Sequence, residues 1–121
     1  MIFKTVKKIT KDDSQVRITI PSEAWTAWNL TSGDQMFVSW DALPNHPTLY
    51  IHPDQFIGAI PMRSIKAQKP AGNQSAFVNL PEAFRWLLNG KFIRATTVIA
   101  DRTITVEEDV EVQSENLHHK N

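Results

Sequence analysis

The sequence has no cysteine among its 121 residues, only four glycines, and no apolar run long enough to span a membrane. The missing cysteines exclude disulfide bonds and thiolate metal ligands. A membrane helix would need about 20 consecutive apolar residues, and no glycine-rich phosphate loop is present. Lysines return at Lys4 and Lys7, too soon for the apolar region of a signal peptide. We therefore expect a cytoplasmic globular protein with no membrane contact.

Net charge is also absent, because 13 lysines and arginines balance 13 aspartates and glutamates. A neutral chain argues against a partner as acidic as DNA, but the charges are separated along the sequence. The first 17 residues are mainly basic, and the last 15 are mainly acidic. Ordinary solvated surface at both ends is the alternative explanation.

A strand, a proline, a short helix and a Gly-Asp turn follow one another over residues 16–34. Val16, Ile18 and Ile20 alternate with polar residues, as in a half-buried strand. Pro21 is placed to begin a helix, and Asn29 and Gly33 are stop signals.

The same order recurs over residues 76–90, with a strand, Pro81, an apolar helix and Asn89-Gly90. The match requires one deletion after Pro81, which aligns Glu23-Ala24-Trp25 with Glu82-Ala83-Phe84. Neither copy has enough apolar residues to close a core alone. We therefore expect the two copies to pack together, with Trp25, Trp28, Phe84 and Leu87 in a shared core.

The remaining segments complete two hairpin, short helix, hairpin units. Residues 2–9 and 16–20 are predicted to form one hairpin, and 35–40 with 48–52 a second. A strand at 62–66, a loop at 67–75, a strand at 76–80 and a helix at 81–88 follow, and a hairpin of 92–99 with 103–106 closes the unit. The predicted domains are a first unit at 1–54, a second and degenerate unit at 55–106, and a disordered acidic tail at 107–121.

The Ile-Pro-x-Glu segment at Ile20 to Glu23, followed by Gly33-Asp34, resembles the AbrB/MazE/SpoVT family of swapped-hairpin DNA-binding domains. The resemblance implies a mainly β fold with short helices, in which two tandem units form a swapped-hairpin, AbrB-like pseudo-dimeric barrel. It also implies double-stranded DNA as the partner, bound by basic residues of the N-terminal hairpin. The chain would be a monomeric pseudo-dimer or a homodimer. Where many DNA-binding members have two helix arginines, this chain has Trp25-Thr26.

The leading functional hypothesis is a DNA-binding transcriptional regulator or antitoxin. The candidate DNA-binding residues are Lys4, Lys7, Lys8, Lys11, Arg17, Arg63, Lys66, Lys69 and Arg85.

The alternative is a protein-interaction module that binds a partner such as a toxin through the barrel or the acidic C-terminal segment. No enzyme activity, metal or cofactor is expected, since His46 and His52 lack metal-site spacing and no catalytic motif occurs.

Overall fold

The computed structural model describes residues 1–8, 16–41, 47–55, 62–72, 74–80 and 92–109, and within these ranges the chain is mainly β-structure. The mainly β fold predicted from the sequence is therefore confirmed. The elements in chain order are β1 (Ile2–Lys8), β2 (Val16–Ile20), α1 (Ser22–Ala27), β3 (Gln35–Asp41), β4 (Thr48–His52), β5 (Met62–Gln68), β6 (Ala76–Leu80), β7 (Phe92–Val98) and β8 (Thr103–Glu108).

All of these strands join one antiparallel sheet in the order β1-β7-β8-β4-β3-β5-β6-β2, which forms a half-barrel. Side-chain alternation gives the sheet an inner, apolar face. In β2, for example, Val16, Ile18 and Ile20 are buried while Arg17 and Thr19 are exposed. Burial of each such aliphatic side chain contributes about 1.5–3 kcal/mol. The core also contains Met36, Val38, Leu49, Ile51, Ile65, Val78, Ile93, Ile104 and Val106.

Strand pairing joins the two halves of the chain. β1 pairs with β7 and β3 with β5, while β2 pairs with β6 and β4 with β8. The predicted hairpins of β3 with β4 and of β7 with β8 are confirmed. The predicted hairpin of residues 2–9 with 16–20 is wrong, because β1 and β2 lie at opposite ends of the strand order. Both strands find their partners in the second half of the chain.

The strand pairs show an approximate two-fold symmetry between the two halves of the chain. Ile18 lies opposite Val78, 60 positions later in the chain, at the middle of the β2–β6 pair. Ile51 lies opposite Ile104 in the β4–β8 pair. If each of the strands β1 to β4 is replaced by its counterpart among β5 to β8, and the reverse, every strand pair is reproduced except one. The exception is the pair of β5 with β6, formed by Ala67 and Gln68, because the counterparts β1 and β2 are not neighbours in the sheet.

Helix α1 and the tryptophan that follows it, Trp28, contact the second half of the chain. Ala24 and Trp28 are buried in the core, and Trp25 is partly buried against it. The Trp28 Nε1–H donates a hydrogen bond of 3.1 Å to the carbonyl oxygen of Ile99, which follows β7. The core positions predicted for Trp25 and Trp28 are thus confirmed, while the other two predicted core residues, Phe84 and Leu87, lie outside the described residues.

The Gly33-Asp34 turn after α1 is a second contact between the two halves of the chain. Gly33 has φ +95°, a conformation that glycine adopts without strain. The Asp34 carboxylate accepts hydrogen bonds from the Thr31 amide at 2.8 Å and the Thr31 hydroxyl at 3.0 Å. The backbones of Gly33 and Asp34 then bond to Ala67 of β5 at 2.7 and 2.8 Å. The turn therefore continues the pairing between β3 and β5.

The C-terminal boundary of the sheet differs from the prediction. The expected tail begins at Glu107, but β8 continues to Glu108 and Asp109 is only 1% exposed. These three residues belong to the sheet, because Asp109 forms an ion pair there with Arg94. Residues 110–121 and the predicted helix 81–88 lie outside the described residues. No helix in the described part of the chain is long and apolar enough to cross a membrane.

Candidate nucleic-acid interface

Three polar residues form a row across β2, β6 and β5 on the outer face of the sheet. Arg17 lies opposite Asn79 in the β2–β6 pair. In the β5–β6 pair Ala67 lies opposite Val78 and Gln68 opposite Phe77, and Lys66 and Asn79 are the next residues beyond this pairing. Because paired strands are about 4.8 Å apart, β2 and β5 are about 10 Å apart where both pair with β6. The fold thus brings together two cations that are far apart in sequence.

The Arg17 side chain lies on an aromatic surface beside this row. Its guanidinium carbon is 4.3 Å from the centroid of the Phe77 ring, a cation–π contact that favours one orientation of the arginine. Phe77 is only 7% exposed although it lies on the outer face. The guanidinium covers part of the phenylalanine ring. Phe77 is the counterpart of Arg17 in the repeat, and the two are brought together by the β2–β6 pairing.

Asn79 is a polar residue that the sequence did not single out. Its Oδ1 atom is buried and has no hydrogen-bond partner, an arrangement that costs free energy when a buried acceptor is left unsatisfied. The internal repeat could have identified this residue, because the alignment places Asn79 at the position of Thr19, on the exposed side of the Ile-Pro strand. The residue therefore adds a hydrogen-bonding group between the two cations.

Charge on the sheet is separated in space. The outward residues of β2, β6 and β5 include Arg17 and Lys66 and, among the residues that the structure describes, no carboxylate. The acidic residues Glu107 and Glu108 lie on β8, on the other side of the sheet order. The basic surface formed by β2, β6 and β5 is consequently suited to a polyanion, despite the neutral chain.

The other predicted DNA-binding residues are dispersed. Lys4 is exposed on β1, and alternation places Arg63 on the side of β5 opposite to Lys66. Lys69 follows β5, with its Nζ atom 5.8 Å from the centroid of the Trp25 ring, beside a cavity of about 360 Å³. Lys7 and Lys8 belong to β1. Two further predicted residues, Lys11 and Arg85, lie outside the described residues.

A half-buried chain of hydrogen bonds around His52 is a separate feature. The Thr103 hydroxyl donates to the carbonyl oxygen of Asp101 at 2.9 Å, so it accepts from His52 Nδ1 at 3.4 Å. His52 Nε2 then accepts from the Ser39 hydroxyl at 3.1 Å. This direction of the Ser39 bond belongs to the neutral imidazole, which burial favours by lowering the pKa of His52 against the opposing effect of Asp54.

The Ser39–His52 pair has the atoms of a nucleophile and its base, but Ser39 is only 2% exposed. A substrate therefore cannot reach the hydroxyl, and we interpret the pair as structural. Nearby, Asp54 and Arg102 form a two-bond ion pair at 2.6 and 3.0 Å on the surface, and the hydrogen bond from Arg102 lowers the pKa of Asp54. Within the described ranges, no group of three or more His, Asp or Glu side chains could hold a metal ion.

Comparison with protein-family models, curated proteins and solved structures finds no match to this chain.

Proposed function

We propose that this chain is a DNA-binding protein that contacts phosphates through the outer surface of β2, β6 and β5. The observation that carries the proposal is the row formed by Arg17, Asn79 and Lys66, in which strand pairing unites two cations from different halves. Phosphate contacts by such side chains supply most of the non-specific affinity of a DNA-binding protein.

The fold proposal that accompanies this function is a swapped-hairpin pseudo-dimer of AbrB-like units. Its support is the exchange of partners, in which β1 pairs with β7 and β5 pairs with β3. In a swapped arrangement, the first strand of each unit leaves its own unit to pair with the other. The Gly33-Asp34 turn supports it too, because this motif joins β3 to β5 of the other half.

DNA recognition would be divided between the two cations and their neighbours. Arg17 presents a planar guanidinium that can form two parallel hydrogen bonds to one phosphate, whereas Lys66 offers a point charge. Lys4 and Lys69 would extend the contact to either side. A regulator or an antitoxin could use the same surface, so the proposal concerns DNA binding and not the direction of regulation.

The test is the salt dependence of binding to the DNA upstream of the chain's own gene, measured by fluorescence anisotropy. Each phosphate contact contributes about −0.9 to the slope of log Kobs against log salt. Arg17→Gln and Lys66→Gln should each reduce the magnitude of the slope by about 0.9, because each removes one contact. Thermal melting of both variants establishes that they are folded.

The matched control is Arg63→Gln, which removes the same charge from the same strand as Lys66 but from the opposite side. Its slope should stay close to that of the parent protein. The proposal would be refuted if no binding is detected at low salt, or if Arg63→Gln changes the slope as much as Lys66→Gln does.

A further inference from the structure

The cavity of about 360 Å³ beside Lys69 lies between helix α1 and the connection from β5 to β6. Helix α1 contributes Ser22 and Trp25 to its lining, and the connection contributes Lys69, Gln74 and Ser75. The volume is within the range of about 300–1,000 Å³ that is typical of small-molecule sites. The cavity therefore combines an aromatic ring with an ammonium group, an amide and two hydroxyl groups.

Backbone hydrogen bonds hold the start of this connection beside the helix. The Lys69 amide donates to the Ser32 hydroxyl at 3.4 Å, next to the two bonds of 2.7 and 2.8 Å that join Ala67 to the Gly33-Asp34 turn. On the other side, Trp25 is partly buried and packs against the core. The lysine and the aromatic ring thus reach the cavity from two segments with fixed positions.

The charge of the cavity comes from Lys69, because the other described lining residues are neutral. Among the described residues no carboxylate pairs with this lysine, and its Nζ atom is 5.8 Å from the centroid of the Trp25 ring. A cation–π contact at an exposed site contributes only about 0.5–1 kcal/mol. Glu23, next to the lining, accepts a hydrogen bond from the Ser22 hydroxyl at 3.2 Å. The cavity is consequently suited to a ligand with one anionic group.

We propose that this cavity binds a nucleoside monophosphate, with its base on the Trp25 ring and its phosphate at Lys69. Stacking of a base on an aromatic side chain contributes about 1–3 kcal/mol, more than the ammonium contact that the base would replace. The displaced ammonium, the Ser75 hydroxyl and the Gln74 amide would then donate hydrogen bonds to the phosphate oxygens. The Glu23 carboxylate disfavours the additional negative charge of a diphosphate or triphosphate.

The test is an NMR titration of the full chain, which follows the Trp25 indole signal and the backbone amides of Lys69, Gln74 and Ser75. Adenosine monophosphate should shift these signals. Ribose 5-phosphate lacks the base and should bind about 5–150-fold more weakly. Adenosine should also bind more weakly, because it lacks the phosphate. These comparisons remove one part of the ligand at a time and leave the protein unchanged.

Lys69→Gln should weaken the affinity for adenosine monophosphate about two- to five-fold, as expected for an exposed ion pair. It should not weaken the affinity for adenosine, because only the phosphate contacts the ammonium. The matched control is Arg63→Gln, which removes a cation of β5 outside the lining and should leave both affinities unchanged. Trp25→Leu should weaken both ligands, and thermal melting establishes that this variant is folded.

Three results would overturn the proposal. The first is the absence of shifts at about 10 mM adenosine monophosphate, and the second is an equal weakening of both ligands by Lys69→Gln. The third is binding of inorganic phosphate as tight as that of adenosine monophosphate, which would indicate an adventitious ion only. The titrations contain no DNA, so their failure would leave the DNA-binding proposal to its own test.

Discussion

Replacement of Asp109 by asparagine should destabilise the protein by about 1–2.5 kcal/mol. The carboxylate is 1% exposed and receives hydrogen bonds from Arg94 Nη2 at 3.1 Å and Arg94 Nε at 3.4 Å. Hydrogen bonds to a charged group contribute about 1.5–3 kcal/mol when buried. Arg94 is 26% exposed and recovers some hydration in the variant, and asparagine keeps one acceptor oxygen, so we expect less than the sum of two bonds.

The assay is urea unfolding followed by circular dichroism. With an m value of about 1–3 kcal/mol/M, the midpoint should fall by about 0.3–2.5 M while m stays constant. Glu107→Gln is the matched control, because Glu107 also lies opposite Arg94 but is half-buried, and its effect should stay below about 0.5 kcal/mol. In a double-mutant cycle, Arg94→Gln combined with Asp109→Asn should cost less than the two single changes added together.

The reasoning is refuted if Asp109→Asn is no more destabilising than Glu107→Gln. That result would mean that the ion pair between Arg94 and Asp109 does not stabilise the sheet.

Two further predictions concern the core and the half-buried His52. Trp28→Phe should lower the unfolding free energy by about 1–2 kcal/mol, since it removes the hydrogen bond to Ile99, whose carbonyl oxygen keeps its bond from the Arg102 amide at 3.1 Å; a melting temperature unchanged from the parent protein would contradict the contact. His52 has a pKa lowered from 6.5 by burial, so the unfolded state takes up the proton first. Stability should therefore fall as the pH drops below about 6.5 and level off below the folded-state pKa. In urea titrations between about pH 7 and 5, His52→Gln should make the unfolding free energy less dependent on pH. The same dependence in the variant as in the parent protein would contradict this prediction.

Local features of this fold could be predicted from the sequence. Alternation in residues 16–20 and 76–80 gave both strands with their observed bounds, and the spacing of Ala24 and Trp28 gave the buried side of the helix. These patterns depend on which side of an element faces the core, which the residues themselves encode.

Strand partners were not predictable in the same way. The sequence placed β1 beside β2 because a short connection favours a hairpin, but the pairing is decided by packing against the other half of the chain. The basic row was missed for the same reason. Arg17 and Lys66 were both candidates, yet only the pairing of β2 and β5 with β6 shows that they share one side of neighbouring strands and that Arg63 does not. The burial of Asp109 also depends on a distant residue, Arg94, and its acidic surroundings in sequence favoured a tail.

The exchange of strands between halves has a consequence for how the chain folds. Ile2 pairs with Val98 and Lys8 with Phe92, so β1 cannot form this pairing until the residues of β7 have been synthesised. Contacts so distant in sequence carry a large loop-closure entropy and give slow folding. Until the last hairpin is made, the exposed apolar residues of β1 are open to wrong association, and the lysines among them are suited to limiting it.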